Sequence, residues 1–192
     1  MFEQLWWLDI VAPEKWNEVL VEENGEVIER FTYVLDNGKI LMPELTQTMG
    51  SWISDRYRSF QTGNTQLSEQ KDIIREMISK FPKHKSFNMV FDSSNDYILP
   101  YRWLGFRYVP SFLYRIDDLA DMELLYTKMN KSAKKNIKSA NNKTEIVEED
   151  SSTEILDLID KTYEVQGRTT PGKREMKEKI VNEVLERGSN SC

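Results

Sequence analysis

Two Asn-Gly dipeptides, Asn24-Gly25 and Asn37-Gly38, constrain the fold of this chain more than any other feature. Each lies between runs of β-prone residues. Asn-Gly tolerates positive φ at both central positions of a two-residue hairpin turn, which few other pairs do. The runs on either side, 16–23, 26–36 and 39–42, are therefore predicted to form a three-stranded antiparallel meander. In the middle run, alternation sets Val27, Phe31, Tyr33 and Leu35 on one face, interrupted by Glu29, and Ile28 and Val34 on the other. Neither face is wholly polar, so the sheet is expected to be covered on both sides.

The flanking patterns predict an α/β (α+β) architecture. Residues 3–11 read as a short apolar helix that Pro13 ends. Trp6 and Trp7 are adjacent and cannot share a helix face, so one of them is expected in the core. Pro43 to Leu67 reads as a long connection carrying Thr46, Gln47, Thr48, Trp52, Tyr57 and Gln61. Loops this long inside compact domains commonly carry function. It reads equally as a polar ligand loop at a sheet edge and as an ordered surface loop anchored by Trp52 and Ile53. A helix is predicted over 68–81 from Ile73, Ile74, Met77 and Ile78, and a strand over 86–91. A short helix over 95–104 and a turn at Gly105 lead to a further strand over 106–116. Pro110 marks that strand as an edge or a bulge. Helices over 121–129 and through a lysine-rich segment precede a short strand over 144–149. Ser151 with Glu154 forms a capping box for the next helix, whose inner stripe is Ile155, Leu158, Ile159 and Val165. The last helix, 173–187, carries Met176, Ile180 and Val184 at helical spacing.

The lysine-rich segment, 128–143, holds six lysines and no acid in a chain of net charge −6. At about 100° per residue, Ala133, Ile137 and Ala140 share a narrow stripe, and Lys131, Lys134, Lys135 and Lys138 gather opposite it. The pattern reads first as a solvated helix, balanced by Glu145, Glu148, Glu149 and Asp150. Its second reading is an electrostatic seat for phosphate or another anion.

A length of 192 residues allows one ordinary domain or two small ones. The acidic balance argues against a general nucleic-acid binder. One histidine, His84, and one cysteine, Cys192, cannot build a His/Cys metal site or a histidine-based nucleophile system in one chain. The lone cysteine suits a reducing cytoplasm, and no apolar run is long enough to span a membrane. Neither a P-loop nor a dinucleotide fingerprint occurs. The residues by themselves give a fold and a polar loop, and no reaction.

The predicted order of helix, meander, helix, strand, short helix, Gly-Phe and strand resembles the layout of the GNAT acyltransferase superfamily. Three stretches resemble its FemAB-related branch more closely: QLWWLDIVAPEKW (4–16), LMPELTQTMGSWIS (41–54), and KKNIKSANNKTEIVEED with STEILDLIDKTYEVQG (134–167). Members of that branch resemble two GNAT-like units in tandem. The resemblance implies a first GNAT-like domain over 1–117. It makes 118–192 a basic linker helix and the shortened start of a second domain. It implies acetyl or aminoacyl transfer to an amine or to a cell-surface sugar or peptide precursor. Acetyl-CoA or another acyl donor, aminoacyl-tRNA included, would be the co-substrate, with no covalently bound cofactor. Under this resemblance Trp7, Thr46, Gln47, Thr48 and Tyr57 lie near the substrate, and Lys135 and Lys138 contact an anionic donor. A GNAT domain holds its donor's pyrophosphate on a Gly-rich loop at a helix start; the nearest stretch is Gln61-Thr62-Gly63-Asn64-Thr65, at a different spacing. The competing expectation is a non-catalytic interaction module that pairs with a separate chain through an exposed face of Met176, Ile180 and Val184.

Overall fold

The computed structural model describes residues 2–58, 64–114, 116, 118–145 and 147–189. The chain divides into two compact units, one formed by Met1–Tyr108 with Ser151–Cys192 and the other by Val109–Asp150.

In the first unit, α1 (Leu5–Val11) precedes the meander of β1 (Trp16–Glu23), β2 (Glu26–Asp36) and β3 (Lys39–Leu41). Both turns take the expected backbone: φ is +53° at Asn24, +83° at Gly25, +51° at Asn37 and +75° at Gly38. The 43–67 connection is more ordered than its composition suggests. It contains β4 (Ser51–Ile53), which pairs antiparallel with β2, and α2 (Asp55–Arg58). Next, α3 (Asn64–Ser79) leads to β5 (Ser86–Phe87), which pairs parallel with β3, and then to α4 (Leu99–Trp103). The result is a mixed α/β unit with a mainly antiparallel open sheet ordered β1-β2-β3-β5, with β4 beside β2.

A register shift alters the expected faces of β2. Val21 pairs with Glu29 but Glu22 pairs with Val27, so Ile28 is an extra residue in the ladder. Such a bulge reverses the alternation beyond it. Ile28 consequently joins Phe31 and Tyr33 in one core, and Val27 turns to the side of Arg30 and Thr32, the reverse of simple alternation.

The sheet is covered on both faces. On one, Val19, Val21, Phe31, Tyr33 and Ile53 pack with Ile73, Ile74 and Met77 of α3 and Tyr101 of α4. On the other, Val34 and Met49 pack with Trp7, Leu8 and Val11 of α1. Two helices complete this unit, α7 (Ser152–Val165) and α8 (Arg174–Ser189), numbered after the two helices of the second unit. Met176 and Ile180 pack against the α1 cluster, so two of the three residues expected to form an exposed partner face are covered. The Ser151 hydroxyl accepts from the Glu154 N–H at 3.3 Å, as the capping box requires. The buried residue of α7 is Leu156, whereas Leu158 and Val165 of the expected stripe are exposed. Docking on one neighbour needs a narrower face than the periodicity marked.

The second unit holds α5 (Met122–Lys128) and α6 (Lys131–Asn141). Asn130 caps α6 by accepting from the Ala133 N–H at 2.8 Å. Among the described residues of 106–116 and 144–149 neither expected strand forms. Strand-prone residues do not make a strand without a hydrogen-bonding neighbour.

Candidate functional site

The first unit brings polar chemistry together in two places, one on each face of the sheet. On the α3 side, β2 carries Glu29 between Ile28 and Phe31, opposite Val21 of β1. Glu29 is fully buried. Neither of its carboxylate oxygens has a hydrogen-bond partner among the described residues, nor does the Tyr101 hydroxyl. Both side chains line a cavity of about 20 Å³. Ser51 of β4 and Asn95 complete its polar wall: the Ser51 N–H and hydroxyl both donate to Asn95 Oδ1, at 3.0 and 3.2 Å. Gly50 lets this pair approach, because a Cβ there would lie 2.7 Å from the Asn95 amide nitrogen. Ser94 is exposed and Asn95 and Tyr97 are half-buried, so the cavity runs from the buried acid toward the surface.

Burial pushes the Glu29 carboxyl up to about 7; the Ser51 hydroxyl opposes the rise and the Glu76 carboxylate adds to it. Burial, with the charge of Glu29, likewise drives the Tyr101 phenol above its ordinary value. A carboxyl poised near neutrality exchanges a proton readily at physiological pH, as acid–base sites require.

The opposite face carries an open groove of about 790 Å³. Trp16 and Trp52 lie along it, with Leu20 and Val27, the latter turned there by the bulge. Its polar groups are Glu3, Gln4, the ion pair of Arg30 with Glu18 at 2.7 Å, and Thr32. The Thr32 hydroxyl is buried and has no hydrogen-bond partner among the described residues. Indole surfaces beside carboxylate, amide and hydroxyl groups suit a ligand with apolar faces and a hydrogen-bonding edge.

The residues singled out from the sequence are not brought into one site. Trp7 and Thr46 meet: the Trp7 indole N–H donates to Thr46 Oγ1 at 2.9 Å. Trp7 is buried in the α1 cluster, and Gln47 is exposed nearby in sequence, with Thr48 half-buried. Tyr57 belongs to the other face, where its hydroxyl donates to Glu23 Oε2 at 2.9 Å. Lys135 and Lys138 are exposed on α6 of the second unit. On the same helix the Lys134 ammonium donates to the Thr127 carbonyl at 2.9 Å and lies 5.4 Å from the Tyr126 ring centroid. Gln61, Thr62 and Gly63 of the candidate phosphate loop, and Cys192, lie outside the described residues. His84 sits with Nδ1 2.8 Å from the Pro82 carbonyl oxygen, a local turn contact.

Sequence reasoning noted Glu29 only as a break in an apolar face. That break was the available signal, since a lone acid at an inward position of a central strand must be neutralised or used. Among the described residues no group of three or more His, Cys, Asp and Glu side chains is placed to hold a metal ion, and no helix is long and apolar enough to cross a membrane. No family model matches the chain, and neither does any curated protein or any solved structure.

Proposed function

We propose that the chain is an N-acyltransferase of the GNAT type, akin to the FemAB-related branch. It would transfer an acetyl or aminoacyl group to an amine or to a cell-surface sugar or peptide precursor in the cytoplasm. The observation that carries this reading is the link between β3 and β5, a parallel pair joined through α3 and added to an antiparallel meander. With α1 covering the other face, this follows the order of elements that the sequence resemblance implies, with β4 and α2 inserted before α3 and no strand among the described residues after Gly105. The groove beside Trp16, Trp52 and Thr32 is the proposed acceptor seat. Acyl transfer to an amine asks for positioning, polarisation of the acyl carbonyl and proton removal, and no metal. Lys135 and Lys138, within the second unit, are proposed on the sequence resemblance alone as contacts for the anionic part of the donor. Titration calorimetry with acetyl-CoA tests this: the wild-type chain binds and Lys135→Glu with Lys138→Glu abolishes binding. An unchanged titration removes the lysines from the site, and no binding of any acyl donor by the wild-type chain overturns the reading.

A second reading has its own observation. In the second unit Val109, Phe112, Leu113 and Tyr114 are all more than three-quarters exposed, at 87%, 95%, 77% and 106%. A run of large apolar side chains in water marks an interaction surface, which favours a non-catalytic module that pairs with a separate chain. Sedimentation beside the calorimetry separates the two. A monomer that binds the donor supports the transferase, and a self-associating non-binder supports the module.

A further inference from the structure

The cavity at Glu29 has a composition that limits what it accepts. Among the described residues it is lined by one carboxylate and by no lysine or arginine. Its volume of about 20 Å³ exceeds the space one water-sized sphere needs and falls far short of an organic substrate. Among the described residues, three buried oxygens of its lining side chains have no hydrogen-bond partner: both carboxylate oxygens of Glu29 and the phenol oxygen of Tyr101. Asn95 Oδ1 is already engaged by Ser51. An anion meets the Glu29 charge, and a divalent metal would leave a second positive charge unbalanced in a buried site. One negative charge and three free acceptors match a single positive charge of water's size.

We propose that the Glu29 cavity binds one water-sized monovalent cation, potassium or an ammonium group, held by the Glu29 carboxylate and the Tyr101 hydroxyl. An ammonium group has three or four N–H donors for these acceptors, and potassium takes oxygens without directional demand. Both are close to water in size. Burial makes the pairing strong, because neither charge has solvent to turn to. Besides Tyr101, the described polar groups around Glu29 are Ser51, Gln70, Ser94, Asn95 and Tyr97 of the cavity wall and the Glu76 carboxylate of α3, and none of them is a cation. Binding requires the ionised carboxylate, so affinity rises with pH through about 7, where Glu29 loses its proton. The inference does not depend on acyl transfer.

The test follows the melting of the full chain at constant ionic strength. Potassium, ammonium or methylammonium chloride replaces tetramethylammonium chloride, whose cation is too large for the cavity. The expected result is a saturable rise in melting temperature with the small cations, larger at pH 8 than at pH 6. Glu29→Gln, which keeps the shape and removes the charge, weakens the apparent affinity at least about tenfold. Tyr101→Phe weakens it less and serves as the second variant if Glu29→Gln fails to fold. A response to methylammonium assigns the site to the head of an amine ligand. A response to potassium and ammonium alone assigns it to a free ion. Equal melting curves in all four salts, or an undiminished shift in Glu29→Gln, overturn the proposal and leave the cavity to a water molecule.

Discussion

Glu29 and Asp160 are both acids in the first unit, and their surroundings differ in every respect that matters to a charge. Glu29 is buried on the α3 face of the sheet with neither oxygen hydrogen-bonded among the described residues. Asp160, on α7, accepts from the Thr170 hydroxyl at 2.6 Å and pairs with Arg174 at 2.9 Å and Lys177 at 3.0 Å. Burial raises the carboxyl of the first to about 7. The Thr170 hydrogen bond first, then those of Lys177 and the nearby Arg174 charge, hold the second below the ordinary range. A polar cluster whose members answer one another ties α7 to α8. A polar cluster left unanswered in a core costs stability, and such a cost persists where the group has another use.

The contrast is sharpest in the dependence of stability on pH, which carries the largest expected effect. The folded carboxyl of Glu29 is raised from 4.5 to about 7, so the folded chain holds this proton more tightly than the unfolded chain does. Its contribution is fully present below about pH 4.5 and is lost as pH rises through about 7. At 1.36 kcal/mol per pH unit the difference is on the order of 3 kcal/mol. Urea denaturation of the wild-type chain in a buffer with only tetramethylammonium as cation should show this decline. Glu29→Gln should flatten it. A wild-type profile already flat between pH 5 and 8 would place Glu29 in a partnered, ionised state and erase the contrast.

How far the sequence reached follows from which interactions are local. The Asn-Gly turns, the Ser151 cap and the α3 periodicity are decided within a few residues, and they stand where expected. The bulge at Ile28 depends on register against Val21 and Glu22 of the neighbouring strand, which the residue pattern does not encode, so Val27 and Ile28 exchanged faces. The β4 strand was hidden because Ser51–Ile53 is too short to show alternation; pairing with Glu29–Phe31 defines it. Of the candidate site, Trp7 and Thr46 were named from the sequence as separate ligand candidates, and their hydrogen bond to each other appears only in the fold. The Glu29–Tyr101 cavity joins residues 72 positions apart, and only the sheet and α4 bring them to one place.

Hydroxyl groups offer a smaller version of the same contrast. Thr46 accepts the part-buried indole N–H of Trp7, whereas the Tyr101 hydroxyl has no partner among the described residues. Thr46→Val leaves the Trp7 N–H unanswered and should cost about 1 kcal/mol. Tyr101→Phe removes a desolvated group that makes no bond, and in tetramethylammonium buffer it should leave stability unchanged or slightly raised. Chemical denaturation of the two variants side by side decides the matter. A loss in Tyr101→Phe equal to that in Thr46→Val would mean that the phenol is hydrogen-bonded in solution.

The smallest effect is expected at Asp160, for reasons of screening. Its side chain is partly exposed, and so are those of Arg174 and Asp157, which Arg174 reaches at 2.6 Å. Because the folded carboxyl is held below the ordinary value, its contribution is present above about pH 4 and is lost as pH falls through the folded value. This is the opposite sense to Glu29. Asp160→Asn keeps one oxygen for the Thr170 hydroxyl and loses the charge that faces Arg174 and Lys177. Its melting temperature should fall slightly at low salt and match the wild type in about 1 M salt, where charge interactions beyond a few ångströms are screened. Lys177 is the one buried cation of the group, with a side chain only 10% exposed. A deficit that survives high salt would therefore locate the surviving interaction at the Lys177–Asp160 pair rather than at Arg174, and would show that this cluster too contains a charge the solvent does not reach.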